Sequence, residues 1–118
     1  MLASEKNILF VFPGQGSQYP GMGSDLYQEY AAVRKVYDDA SNVLAYDVAE
    51  LSFNDPDQQI NLTWFTQPAL LTHSIACLEA FRDLTDDRLT PAMAAGHSVG
   101  EYAALVAAKV LIRSKRNA

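Results

Sequence analysis

Residues 91–104 read PAMAAGHSVGEYAA, and this run sets the architecture predicted for the chain. The small residues Pro91–Ala95 predict a short buried strand, and the alanine-rich run Ser98–Val110 predicts a helix. Between them, residues 96–100 match the pattern G-x-S-x-G, which places a serine on a sharp turn from strand to helix. On such a turn the Ser98 hydroxyl would project above the sheet edge, and the Val99 N–H would face a developing oxyanion. The motif alone also fits a serine that merely caps a helix after a glycine turn.

The residues before this motif predict one more strand and several helices. Asn7–Phe12 is an apolar run typical of a strand buried on both faces, and a glycine-rich loop follows it at Pro13–Gln18. Helices are predicted at Ser24–Tyr30, Ala32–Leu44, Asp47–Phe53 and Pro68–Leu84.

Two of these helices carry further sequence signals, and two segments next to them are less regular. One face of the second helix carries the apolar residues Val33, Val36, Tyr37 and Ala40. The last helix has Pro68 in its first turn and an apolar stripe of Leu71, Ile75, Leu78 and Phe81. Asn61–Thr66 is either irregular or the start of a helix, and Thr85–Thr90 is a polar loop. The alternation of strands and helices predicts an α/β fold around a short parallel sheet.

Composition excludes several classes of protein. With 118 residues, 49% hydrophobic and 19% charged, the chain fits one globular domain or part of one. A single cysteine, Cys77, cannot form an internal disulfide, so a cytoplasmic location is expected. No run approaches the roughly 18–20 apolar residues of a membrane span.

Charge is unevenly distributed along the chain. Residues 1–108 hold fourteen acids and five bases, whereas residues 109–118 hold four bases and no acid. The acidic body argues against nucleic-acid binding as the main role. The basic end is either a docking patch or simply a solvated terminus.

Four motifs in a fixed order carry a family resemblance. They are FPGQGSQ at 12–18, GMG at 21–23, TQPA at 66–69 and GHSVGEYAA at 96–104. The chain resembles the N-terminal part of malonyl-CoA:acyl-carrier-protein transacylases and of the acyltransferase domains of fatty-acid and polyketide synthases. The resemblance implies a partial α/β-hydrolase-like large subdomain over residues 1–111, without the family's ferredoxin-like small subdomain. Residues 112–118 are expected to form a divergent basic tail.

The resemblance assigns roles to individual residues. Ser98 matches the nucleophile, Val99 the residue whose backbone N–H binds the oxyanion, and Gln15 the residue whose backbone N–H is the second donor. Gln67 matches a glutamine near the acyl pocket. Gly96, His97 and Gly100 would support the turn. For Gln15 and Gln67 the alternative is ordinary hydrogen bonding in a loop and at a helix start.

A serine nucleophile needs a base, and neither histidine of this sequence suits that role. His97 is adjacent to Ser98 on a tight turn, where neighbouring side chains diverge, so we expect it to pack beside the site. His73 falls within a predicted helix, as a residue of the helix surface or core edge. The family's catalytic histidine and its carboxylate-binding arginine are expected beyond residue 118, and Arg113 is too close to Ser98 in sequence to be that arginine.

The resemblance implies an enzyme that moves a malonyl or related acyl group from coenzyme A to the phosphopantetheine thiol of an acyl carrier protein. A serine ester would be the intermediate, in fatty-acid or polyketide biosynthesis, with no metal or prosthetic group. The expected partners are malonyl-CoA and the carrier protein, with no nucleic acid and no membrane.

Two alternatives stay open. One is a catalytically incomplete fragment, inactive alone or in need of a complementary chain; its exposed sheet edges would also promote self-association. The other is a small serine esterase that uses His73 as its base.

Overall fold

The computed structural model describes residues 8–89 and 91–108, which form a two-stranded sheet and five helices. The elements are β1 (Leu9–Phe12), α1 (Ser24–Glu29), α2 (Ala31–Leu44), α3 (Val48–Phe53), α4 (Thr63–Leu84), β2 (Met93–Gly96) and α5 (Gly100–Ala107). This order agrees with the predicted α/β class. Four predicted features lie outside the described residues: Asn7 in β1, Thr90 in the polar loop, residues 109–110 in α5, and the basic tail 112–118.

The two strands pair in parallel, with Leu9 opposite Met93 and Phe12 opposite Gly96. Parallel strands require a crossover connection, and α1 to α4 supply it. Because the strands run in the same direction, both end at the same edge of the sheet. The glycine-rich loop after β1 and the serine motif after β2 therefore start side by side.

The prediction that β1 is buried on both faces was wrong. Phe12 is buried and Phe10 packs edge-on against Phe81 of α4, but Leu9 and Val11 point away and remain 54% and 66% exposed. Met93 of β2 is 69% exposed on the paired strand. The described helices cover only one face of the sheet, so the apolar run buries only alternate side chains.

Helix α4 begins five residues before the predicted start, and Pro68 lies inside the helix instead of in its first turn. The first turn is fixed by Thr66, whose hydroxyl donates to the carbonyls of Ile60 and Leu62. Thr66 is fully buried, so these bonds are protected from water. These local bonds accompany a helix start within Asn61–Thr66, which confirms the predicted alternative that this segment begins a helix.

The core lies between α2 and α4. Val33, Val36 and Tyr37 of α2 are buried, which confirms the predicted apolar face. Along α4, Ile75 and Leu78 are buried in the same cluster. Helix α4 also buries residues outside its predicted stripe, because α1, α2 and α5 all contact it.

Candidate active site

Ser98 occupies a strained backbone position at the carboxyl edge of the sheet. Its φ angle is 59°, in the left-handed region that costs an L-residue about 1–2 kcal/mol. The residue cannot be helical there, so α5 begins at Gly100 and not at Ser98 as predicted. The carbonyl of Ser98 accepts from the N–H of Glu101 at 3.0 Å, which joins the turn to the helix. The Ser98 side chain stays exposed at the edge.

The two glycines of the motif sit where no side chain fits. A Cβ on Gly96 would overlap the backbone of Gly100 and lie 2.5 Å from the N–H nitrogen of Glu101. A Cβ on Gly100 would overlap the carbonyl of Phe12 and lie 2.7 Å from the carbonyl oxygen of Pro13. The turn therefore packs backbone against backbone, both within itself and against the end of β1.

The glycine-rich loop lies directly against the serine. A Cβ built on Gly14 would be 3.0 Å from the Cβ of Ser98 and 2.9 Å from Nδ1 of His97. The backbone N–H of His97 donates to the carbonyl of Phe12 at 3.0 Å, which extends the strand pairing by one bond. The structure thus places His97 between the two loops, where its backbone fastens the turn to β1.

The two loops at this edge each contain a backbone N–H group that was predicted to bind the oxyanion. Within residues 8–89 and 91–108, neither the Val99 N–H nor the Gln15 N–H makes a hydrogen bond. The Val99 side chain is 7% exposed and packs with Met22 and Leu70, so its peptide is held firmly at the start of α5. Preorganised N–H groups of this kind stabilise the charge that develops on a carbonyl oxygen during acyl transfer.

The side chain of Gln15 donates through Nε2 to the hydroxyl of Thr63 at 2.9 Å. Gln67 is exposed on α4 and lines a groove together with Val99. Gln15 therefore combines a structural side-chain bond with an available backbone N–H, so the two readings of this residue are compatible.

The groove is an apolar channel of about 740 Å³ between α2 and α5, with α4 as its floor. Val36 and Val43 line one side, Tyr102 and Val106 the other, and Leu71 the floor. Trp64 at one end is 83% exposed. Sequence periodicity did not single out this channel, because it depends on how three helices are spaced.

No base is held against the serine by the part of the chain that the structure describes. Ser98 Oγ makes no hydrogen bond with any residue in that part. The described contacts of His73 are made instead with Cys77, whose Sγ lies 3.5 Å from Nε2, and with the region around Gly23. Burial lowers the pKa of His73, and the carboxylate of Asp25 opposes this shift. This position agrees with a core-edge histidine and does not favour the esterase that would use it as a base.

Residues 8–89 and 91–108 contain no group of three or more side chains placed to hold a metal ion. No helix among them is both long enough and apolar enough to cross a membrane.

Comparison with known proteins gives consistent relatives. Residues 9–115 match the family model of the acyl transferase domain. The malonyl CoA-acyl carrier protein transacylase of Bacillus subtilis (strain 168) is 47% identical over 104 residues, which are 88% of this chain and 32% of that protein. The chain therefore spans about a third of the length of the relatives it matches. The boundary predicted at residue 111 stays a prediction.

Solved structures agree with the fold. The malonyl CoA-acyl carrier protein transacylase of Clostridium perfringens superimposes with a TM-score of 0.84 at 37% identity, over 90% of this chain and 33% of that one. A malonyl-transacylase in complex with a type II PKS acyl-carrier protein gives a TM-score of 0.77 at 44% identity, over 86% and 32%. These matches confirm the predicted α/β fold and the resemblance found in the four motifs. The chain belongs to the acyl transferase domain family.

Proposed function

We propose that this chain carries the nucleophile and the oxyanion-binding part of an acyltransferase that moves a malonyl or related acyl group from coenzyme A to an acyl carrier protein. The observation that carries the proposal is the sheet edge where Ser98, strained and exposed, lies against the loop that contains Gln15. Within residues 8–89 and 91–108 the N–H groups of Val99 and Gln15 have no hydrogen-bond partner. The names of the relatives supply the substrate class.

The proposed reaction has two halves. Ser98 Oγ attacks the thioester carbonyl carbon, the carbon–sulfur bond breaks, and coenzyme A leaves as a thiol with the serine's proton. The phosphopantetheine thiol of the carrier protein then attacks the ester, and Ser98 recovers a proton as the new thioester forms. In both halves the carbonyl oxygen becomes negative and would accept from Val99 and Gln15 N–H. A single donor of this kind contributes about 10²–10³-fold in rate.

No metal or prosthetic group takes part in this scheme, since the thioester is already an activated acyl donor. A carrier protein of fatty-acid synthesis and one of polyketide synthesis are both candidate acceptors. One relative of known structure is in complex with a type II PKS acyl-carrier protein. We place the reaction in the cytoplasm, because a chain with a single cysteine cannot form an internal disulfide and therefore suits a reducing compartment.

Intact-protein mass spectrometry after mixing with malonyl-CoA tests the first half. We expect a malonyl adduct that disappears in Ser98→Ala, with circular dichroism to establish that both samples are folded. An adduct that persists in Ser98→Ala would assign the nucleophile elsewhere and refute the role of this serine.

A second candidate is an acyltransferase part that acts only together with a complementary chain. Two observations favour it: the open apolar groove with Trp64 and Tyr102 at its surface, and the sheet face that leaves Leu9, Val11 and Met93 exposed. Apolar surfaces of this kind are typical of interfaces. The test is coexpression with the portion of the Bacillus subtilis relative that lies outside the matched residues. Malonyl transfer that requires both pieces and Ser98 would support this candidate, whereas full adduct formation by the chain alone would refute it.

A further inference from the structure

The two glutamines of the glycine-rich loop both bind the segment that leads into α4. Gln15 Nε2 donates to Thr63 Oγ1 at 2.9 Å, and Gln18 Nε2 donates to Asn61 Oδ1 at 2.7 Å. These bonds join residues 48 and 43 positions apart, so they fix tertiary structure and not a local turn. The loop beside Ser98 is thus tied at two points to the same short segment.

The Gln18 side chain also decides which backbone N–H of the loop is available. Its Oε1 accepts from the Gly16 N–H at 2.8 Å, while its Nε2 donates to Asn61. A backbone N–H can only donate, so this pair of bonds sets the orientation of the amide. The Gly16 N–H is thereby occupied, whereas the neighbouring Gln15 N–H has no hydrogen-bond partner within residues 8–89 and 91–108.

The segment that receives these bonds is itself firmly held. Asp55 Oδ1 accepts from the N–H groups of Gln59, at 2.7 Å, and Ile60, at 3.1 Å. Ile60 is 1% exposed, and the buried Thr66 hydroxyl donates to its carbonyl. Thr63 and Asn61 therefore connect the loop to a rigid support.

Helix capping does not account for Thr63. The residue that caps α4 is Leu62, and no side chain of residues 8–89 and 91–108 makes a capping hydrogen bond there. The Thr63 hydroxyl is instead directed at Gln15. Its described hydrogen bond serves the loop and not its own helix.

We propose that Thr63 and Asn61 are positioning residues, which hold the Gly14–Gln18 loop against the serine turn so that the Gln15 N–H points at the reacting carbonyl. The inference rests on the proposed acyltransferase function, but the placement of the loop can be measured without any turnover. Neither residue touches the reacting atoms; each acts through a glutamine of the loop.

The test compares two double variants of the full chain. Thr63→Val with Asn61→Leu keeps the side-chain shapes but removes both acceptors. Thr63→Ser with Asn61→Asp retains a hydroxyl and an acceptor oxygen and is the matched control. Circular dichroism and urea unfolding establish that both fold.

The first readout is nuclear magnetic resonance. In the parent chain we expect a cross-relaxation peak between the Gly14 α-protons and the Ser98 β-protons, together with slow exchange of the Gly16 amide. The Val/Leu variant should lose at least half of the peak and exchange Gly16 faster, and the Ser/Asp variant should restore both. An unchanged peak and unchanged exchange in the folded Val/Leu variant would overturn the proposal.

The second readout is labelling of Ser98 by a fluorophosphonate, in which a phosphorus–oxygen bond forms at Ser98 and fluoride leaves. The phosphoryl oxygen needs the same N–H donors as an acyl carbonyl. Loss of one or two exposed tethers should slow labelling roughly two- to tenfold, with recovery in the Ser/Asp variant. Equal labelling in all three chains, despite a displaced loop, would also overturn the proposal. If the parent chain is not labelled at all, the proposed function fails for this chain, and the resonance data alone decide whether the loop is positioned.

Discussion

Replacing Ser98 with glycine should stabilise the fold relative to replacing it with alanine. Both variants remove the nucleophile, but only alanine keeps a Cβ at a φ of 59°. A Cβ in the left-handed region costs about 1–2 kcal/mol, and glycine avoids that cost. Because glycine also gives the unfolded chain more freedom, about 0.4–1 kcal/mol of this gain is lost.

The net expectation is that Ser98→Gly unfolds with a free energy about 0.5–1 kcal/mol larger than Ser98→Ala. For a domain of this size the melting temperature should rise by roughly 2–4 °C. Urea unfolding followed by circular dichroism measures the difference, with equal m-values required so that only stability is compared.

A glycine variant less stable than the alanine variant would contradict this reasoning. It would mean that the turn relaxes to a negative φ in solution, and that Ser98 is not held in a strained conformation. The same experiment therefore checks the geometry on which the nucleophile's assignment depends, without any substrate.

Four further variants test other parts of the structure by the same unfolding measurement. Gly100→Ala should lower the free energy of unfolding by about 2–4 kcal/mol, because its Cβ would overlap the backbone at the end of β1. Gly16→Ala is strained but faces open space, so it should lower that free energy by only about 1 kcal/mol. Equal losses in the two variants would contradict the close packing at Gly100. Tyr37→Phe should be neutral or should stabilise the fold by up to about 1 kcal/mol, since the buried hydroxyl has no partner among the described residues. A loss of stability larger than about 1 kcal/mol would reveal a partner. Burial lowers the pKa of His73, so the unfolded chain takes up the proton first and stability falls as the pH drops below about 6.5. His73→Gln should therefore flatten the dependence of stability on pH between pH 7 and pH 5. An unchanged slope would assign that dependence to other groups.

Local patterns in the sequence were sufficient for the serine turn and for the α2 face. The turn depends on the glycines two residues before and two residues after Ser98, and the buried face of α2 depends on residues three and four apart. The residues that form these two patterns are close in sequence, whereas the contacts of the turn with Phe12 and Pro13 are not. Periodicity and motif spacing therefore contain the information.

The features that were missed depend on distant residues. The exposure of Val11 depends on which elements cover the sheet, and an apolar run cannot reveal that. The bond from Gln15 to Thr63 spans 48 residues, so neither residue carries a local sign of it.

The parallel pairing of Phe12 with Gly96 has a consequence for how the molecule folds. Closing a loop of about 84 residues costs roughly 4 kcal/mol of chain entropy, which the helices between the strands must offset before the strands can remain paired. Contacts of such long range form slowly compared with helices. We therefore expect the helical contacts to appear early in refolding and the edge that bears Ser98 to assemble in the last steps, so that the serine acquires its strained geometry only in a chain that is otherwise folded.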